Sequence, residues 1–269
     1  MKQKFTQISI VLLFAAVILF SCRKDREVLA DTDTALAQKY STIEQSNNDL
    51  DALANEIVYS NSASLKTGEN SDVLSLCANI IFNHKSNDSV NALVDFGSSN
   101  CLCGDQKYRK GKVKIVYSKP GKFIALNTDN YFVNNNKVEV NRNLKYLLPT
   151  YFVINASASI TFADSSQTIT ENSTRTINWT EGSSTLSNKT DDVFIVSGSG
   201  SGTNHNGDNY TVEITTPIKR TGDCSFIRSG KIEIKPTDKL ARVINFGNGE
   251  CDDIATVSIG KFSKIIALK

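Results

Sequence analysis

Only two histidines, His84 and His205, occur in this 269-residue chain, and it contains no Gly-x-Ser-x-Gly elbow. A Ser-His-Asp hydrolase needs a histidine held between a nucleophile and a carboxylate. Both histidines lie instead in turn-like composition, Asn83-His84-Lys85-Ser86-Asn87 and Asn204-His205-Asn206-Gly207-Asp208. Zinc is poorly served as well. Cys101-Leu102-Cys103 is Cys-x-Cys, with no second cysteine pair or histidine at finger spacing. Lysine and arginine do not cluster, which argues against nucleic acid as a partner. Proline (four) and tryptophan (one) are scarce, while Ser, Thr, Asn, Val and Ile abound, the composition of polar-faced antiparallel strands.

The one long apolar run is Ile8 to Phe20, preceded by Lys2 and Lys4 and followed at once by Arg23, Lys24, Asp25, Arg26 and Glu27. It has the length of a signal-peptide core and falls short of the ~20 residues a spanning helix needs. The junction Leu19-Phe20-Ser21-Cys22 resembles a bacterial lipobox, with Phe20 bulkier than is common there. Residues 1–21 are therefore expected to be a lipoprotein signal peptide and Cys22 the lipidation site. Two or three acyl chains, at ~0.8 kcal/mol per buried CH₂, anchor a protein to a bilayer without a transmembrane helix. Loss of Lys2 and Lys4 leaves 28 basic residues against 28 acidic ones, so the mature chain is formally neutral. The expected location is the cell envelope, most simply the outer membrane.

An exported chain can form disulfides. Cys77, Cys101, Cys103, Cys224 and Cys251 remain, an odd number. Cys77 precedes a strand pair ending in Asp95-Phe96-Gly97, with Cys101 just beyond. Cys224 precedes another ending in Asn245-Phe246-Gly247, with Cys251 just beyond. This degenerate repeat predicts Cys77–Cys101 and Cys224–Cys251 pairs, with Cys103 spare.

Along the mature chain, residues 22–33 read as a charged tether. Residues 34–70 read as an amphipathic helix plus linker, and 71–269 as an all-β domain. In the helix Leu36, Ile43, Leu50 and Ile57 recur every seven residues, with Tyr40, Asn47 and Ala54 four residues after the first three. Asp33 or Thr34 can cap it. A helix packed on the β-domain fits better than a coiled coil, since three heptads with Asn47 in the seam are marginal. From about Leu74 the period becomes two. Strands are expected at 92–96, 112–117, 137–140, 151–162, 174–180, 193–203, 210–215, 230–235, 240–246 and 254–259. Asn134-Asn135-Asn136, Asn206-Gly207 and Asn248-Gly249 supply hairpin turns. Lys231, Glu233 and Lys235 alternate with Ile232 and Ile234, as in a sheet packed on one face. The expected fold is a mainly β antiparallel meander, curled into a sandwich or open barrel, with one N-terminal helix.

Thr174 to Trp179, Gly198 to Asn204, Tyr210 to Pro217, Cys224 to Ile234 and Asn245 to Asp252 come in that order, after Asp95-Phe96-Gly97 and Arg109-Lys110-Gly111-Lys112. Together with the lipobox, this pattern resembles a family of uncharacterised lipoproteins of Gram-negative bacteria. The likeness spans most of residues 70–269 and implies envelope location and β-architecture, leaving function open.

Other motifs carry less chemistry. Glu171, Asp191, Asp192 and Glu213 are candidates for a paired-carboxylate site only if folding brings two together. Glu250, Asp252 and Asp253 form an acidic turn that lacks Ca²⁺-loop spacing. Gly198-Ser199-Gly200-Ser201-Gly202 lacks the strand–turn–helix setting of a dinucleotide site and instead suggests close backbone approach. Trp179, Tyr131, Tyr151 and Tyr210 are candidate platforms for sugar rings if they share a face. The expectation is a non-catalytic envelope lipoprotein without cofactor, in a binding or structural role. A glycan or an envelope protein is the possible partner, and carbohydrate binding or processing is the alternative. In cells fed a palmitate analogue, the protein should incorporate label, and Cys22→Ala should abolish it.

Overall fold

The computed structural model describes residues 31–59, 78–185 and 188–268. Cys22, Cys77 and the remainder of the expected tether and linker lie outside these residues. Helix α1 (Ala35–Tyr59) leads into fourteen strands: β1 (Asn79–Lys85), β2 (Ser89–Asp95), β3 (Cys101–Leu102), β4 (Tyr108–Ser118), β5 (Phe123–Val133), β6 (Asn136–Leu148) and β7 (Tyr151–Thr161), then β8 (Thr168–Glu181), β9 (Val193–Thr203), β10 (Asn209–Thr221), β11 (Ser229–Pro236), β12 (Arg242–Asn248), β13 (Ile254–Ile259) and β14 (Phe262–Ala267). All belong to one antiparallel sheet whose spatial order follows the chain, with β3 paired on the side of β4. β1 and β14 form its two ends, so the sheet is an open meander.

The strand alternation is that of a one-sided sheet. In β2 the buried positions are Val90, Ala92 and Val94, and in β11 Ile232 and Ile234 are fully buried between Lys231, Glu233 and Lys235. What covers the buried face is α1. At ~1.5 Å per residue a 25-residue helix spans ~37 Å, and strands of 11–14 residues are as long. Side chains from β4, β6, β8, β10 and β12 all bond to α1 or to Asp31, just before it. Laid flat, those strands would extend ~38 Å at ~4.8 Å per step, against a helix ~10–12 Å wide. Arg142 of β6 and Arg220 of β10, four strands and ~19 Å apart on a flat sheet, converge on the single carboxylate of Asp51, as a sheet curled around the helix allows.

The helix starts where expected: the Ala35 amide donates to Asp33 Oδ1 at 3.0 Å, so Asp33 supplies the cap. All four heptad residues are buried, packed on the sheet. The expected strands omit β3, β5 and β14. They also end β10 at Thr215, whereas the strand continues through Pro217 to Thr221 by way of register slips on both sides. Such slips accommodate a residue that cannot donate to a ladder. His84 belongs to β1, beside a slip at Phe82/His84, and not to a turn. His205 does occupy the β9–β10 turn.

The repeat has a structural counterpart. Asp95 pairs with Lys112 and Asn245 with Lys231, so each Phe-Gly strand lies beside an Arg-x-Gly-Lys strand. The β4–β5 ladder slips at Gly111 and the β11–β12 ladder at Gly230, both glycines at positive φ. The chain order is reversed, because β2 precedes its partner β4 whereas β12 follows β11. A disulfide joins Cys224 to Cys251 and ties the open end of the β11–β12 hairpin. Cys101 is disulfide-bonded, and Cys103 is a buried thiol outside any disulfide that donates to the Cys101 carbonyl at 3.7 Å. The Cys224–Cys251 separation of 27 residues corresponds to ~3–4 kcal/mol in the chain-entropy model. Replacing both by serine should lower the urea midpoint accordingly, and non-reducing peptide mapping should recover the pair.

Candidate functional site

Alternate strands of a meander run in the same direction, and five of them turn an arginine toward the helix side: Arg109, Arg142, Arg175, Arg220 and Arg242. Lys107 Nζ and Arg109 Nη2 reach Asp49 Oδ2 at 2.7 and 3.6 Å, and Arg109 also grips Asp105 at 2.6 Å. Arg142 Nη2 donates to Asp51 Oδ2 at 2.9 Å, as does Arg220 Nη1. Arg242 pairs with Asp31 at 2.8 Å. At Arg109 burial depresses the pKa, but the hydrogen bonds to Asp105 and the charge of Asp49 outweigh it and hold the guanidinium charged. Burial raises Asp49 despite Lys107 and Arg109. Removing one member of a buried pair typically costs ~3–5 kcal/mol, because the other charge is left unpaired.

The densest cluster surrounds Arg175. Its Nη2 lies 2.6 Å from Tyr40 Oη and 2.8 Å from both Glu44 Oε1 and Glu171 Oε1. Tyr40 Oη is also 2.7 Å from each carboxylate. A phenol has one proton and can donate to one carboxylate at a time. Burial, and then the charge of Glu44, push Glu171 above the usual carboxylate range against the pull of Arg175. Burial likewise raises Tyr40. The glycine stripe of β9 makes room for this cluster: a Cβ on Gly200 would sit 2.8 Å from Glu171 Oε1, and one on Gly202 1.8 Å from the Thr170 carbonyl oxygen.

Further along α1 the helix offers small side chains to the sheet. Asn48, Ala52 and Asn55 recur at spacings of four and three and so share a face. Opposite them a cavity of about 490 Å³ remains, within the ~300–1,000 Å³ typical of small-molecule sites. Its wall comes from the concave side of β5 to β9: Ile124, Leu126, Leu144, Phe152, Ile177 and Phe194. Tyr146 meets Phe152 edge-on at 4.8 Å, and Trp179 stacks on Phe194 at 5.5 Å. Trp179 Nε1 donates to Asp192 Oδ1 at 3.0 Å, and burial pushes Asp192 up to about 6 against that hydrogen bond. Arg142, Arg220 and Lys189 supply positive charge around the cavity.

The sequence candidates are dispersed. Glu171 is buried in the Arg175 cluster, Asp192 borders the cavity, Asp191 accepts from Thr185 Oγ1 at 2.6 Å, and Glu213 is exposed on β10. No two of them face one another across the cavity as an acid pair. Of the aromatic platforms only Trp179 lines the cavity. Tyr131 is buried against Arg109, Tyr210 Oη donates to the Thr170 carbonyl at 2.6 Å, and Tyr151 stands on the opposite side of β7. Asp252 Oδ1 accepts from the Ile254 amide at 3.2 Å. Among the described residues no group of three or more His, Cys, Asp or Glu side chains can hold a metal ion, Glu250, Asp252 and Asp253 included. The inward arginines escaped the sequence reading, although each shares its strand face with buried apolar residues, as Arg142 does with Val138 and Val140.

Compared with known proteins, the chain matches no family model, no curated protein and no solved structure.

The chain's single tryptophan therefore reports on this site. Its emission should titrate with a midpoint near pH 6 as Asp192 ionises, and Asp192→Asn should remove that step while leaving circular dichroism unchanged.

Proposed function

We propose that the protein is a membrane-anchored lipoprotein of the cell envelope with a non-catalytic binding role, and that the cavity beneath α1 is its ligand site. The lipobox at Cys22 supports the location. The observation that carries the binding role is the cavity itself, set between α1 and the curled sheet and walled by aliphatic and aromatic side chains. A wall of this kind favours a ligand with an apolar body. Lipid anchoring would hold such a receptor beside a source of apolar molecules.

A second reading, carbohydrate binding, is favoured by one observation: the Trp179 ring lines the cavity. Sugars also need a dense set of hydrogen-bonding groups, and the wall opposite Ala52 is mainly hydrocarbon, so this reading ranks lower. The test uses the lipidated protein in phosphatidylcholine vesicles, with 12-bromododecanol as a neutral probe whose heavy atom quenches tryptophan. Trp179 emission should fall saturably with micromolar affinity, about −8 kcal/mol. Ala52→Phe, which puts a ring into the cavity, should weaken this at least tenfold. Absence of saturable quenching would overturn the cavity reading. A saturable shift with maltoheptaose in its place would favour the carbohydrate one.

A further inference from the structure

We propose that the cavity takes an amphiphile carrying one anionic group, its hydrocarbon part against Ile124, Leu144, Phe152 and Phe194 and its carboxylate or phosphate oxygens at Arg220 and Arg142. The inference rests on the binding reading above and adds the charge of the ligand. Its basis is an imbalance beside the apolar wall. Asp51 Oδ2 accepts from Arg142 Nη2 and from Arg220 Nη1, both at 2.9 Å, so one carboxylate serves two guanidiniums. Arg142 Nη2 also lies 2.8 Å from Asp51 Oδ1, and the other contacts of the pair are to neutral groups. Arg220 Nη1 also reaches Asn48 Oδ1 at 3.2 Å, and Arg142 Nη1 reaches the Asn47 carbonyl at 3.2 Å. Arg220 Nε is buried and has no hydrogen-bond partner among the described residues.

The other carboxylates around the cavity do not cancel this excess. Lys107 and Arg109 hold Asp49, Arg109 holds Asp105 and Arg228 holds Asp223. Asp192 accepts from Trp179 and is offset by the charge of Lys189, and Glu56 is buried with an interaction of its own. At Arg142 burial pulls the pKa down, against the pull of Asp51 and, more weakly, of Glu44, and the charge of Arg220 adds to the downward push. A second anion relieves that strain and gives Arg220 Nε an acceptor. Guanidinium is suited to this, since its planar fork matches carboxylate and phosphate oxygens. A neutral head group satisfies the N–H but leaves the charge, and a cationic one adds to it.

The experiment titrates Trp179 in the vesicle-bound protein at pH 8 with four probes that share one chain: 12-bromododecanoate, 12-bromododecyl phosphate, 12-bromododecanol and (12-bromododecyl)trimethylammonium, compared at equal membrane concentration. At least one anionic probe should bind ten times or more tighter than the alcohol, and the ammonium weakest. The ratio of carboxylate to phosphate affinity then separates a fatty-acid-like ligand from a phospholipid-like one. Arg220→Gln should bring the anions to within threefold of the alcohol, with alcohol quenching still saturable, which shows that the variant keeps a cavity. Should that variant fail to fold, the wild-type ratio decides alone. Equal affinity for alcohol and both anions would overturn the anionic inference and leave the cavity reading standing. Failure of all four probes to quench would remove the cavity reading itself.

Discussion

The structure depends on a polar helix being accepted inside a curled sheet. Much of α1 is shielded from solvent, polar residues included: Ser41, Glu44, Gln45, Ser46, Asp49 and Glu56 are buried along with the apolar stripe. Charges in such a place are tolerated only when paired and hydrogen-bonded. The sheet meets that demand from alternate strands, whose inward arginines reach the helix or the residue that leads into it. Because every second strand has the same direction, the arrangement is a consequence of the meander as much as of the side chains. The apolar contacts drive burial, since they scale with area and lack direction. The ion pairs set the rotation and height of the helix within the sheet.

The same constraint produces the cavity. Where α1 presents Tyr40, Ile43 or Leu50, its side chains fill the space to the strands. Where it presents Asn48, Ala52 and Asn55, the strand side chains Leu144, Phe152 and Phe194 are not met and a void persists. Space of this kind forfeits dispersion contacts, so proteins ordinarily close it. Here the arginine pairs on Asp51 and Asp49 hold the helix away from collapse onto the wall. The site is thus a by-product of fixed helix placement, with aromatic pairs lining it and a surplus of guanidinium beside it.

Much of the fold was legible because solvent divides a one-sided sheet cleanly. Lys231, Glu233 and Lys235 against Ile232 and Ile234 could hardly be read otherwise, and the heptad of Leu36 to Ile57 announced the helix. The parts that eluded the pattern are those where polar residues face inward. In β8 the buried face reads Ile169, Glu171, Ser173, Arg175, Ile177, which by hydropathy alone looks solvated on both sides. β5 hid for a related reason, since Asn127, Thr128, Asp129 and Asn130 interrupt its alternation at a register slip. The cavity was illegible in principle. It is defined by which small helix residues oppose which large strand residues, and that pairing joins segments roughly a hundred positions apart.

The order of the chain gives the arginine contacts a temporal meaning. Counted from the helix segment outward, the partners lie 58 residues away for Lys107–Asp49, 91 for Arg142–Asp51, 131 for Arg175–Glu44, 169 for Arg220–Asp51 and 211 for Arg242–Asp31. The segment synthesised before the strands is the one whose needs are met last. Non-local contacts of this kind slow folding, because loop closure must precede the reward. Until β8 and β10 are in place, Glu44 and Asp51 lack arginines that they hold in the folded chain. β12 adds only the pair at Asp31 ahead of the helix, so a chain cut before β10 leaves the helix's ion pairs incomplete. The helix thereby acts as a completeness check, closing the molecule only once most of the polypeptide has arrived.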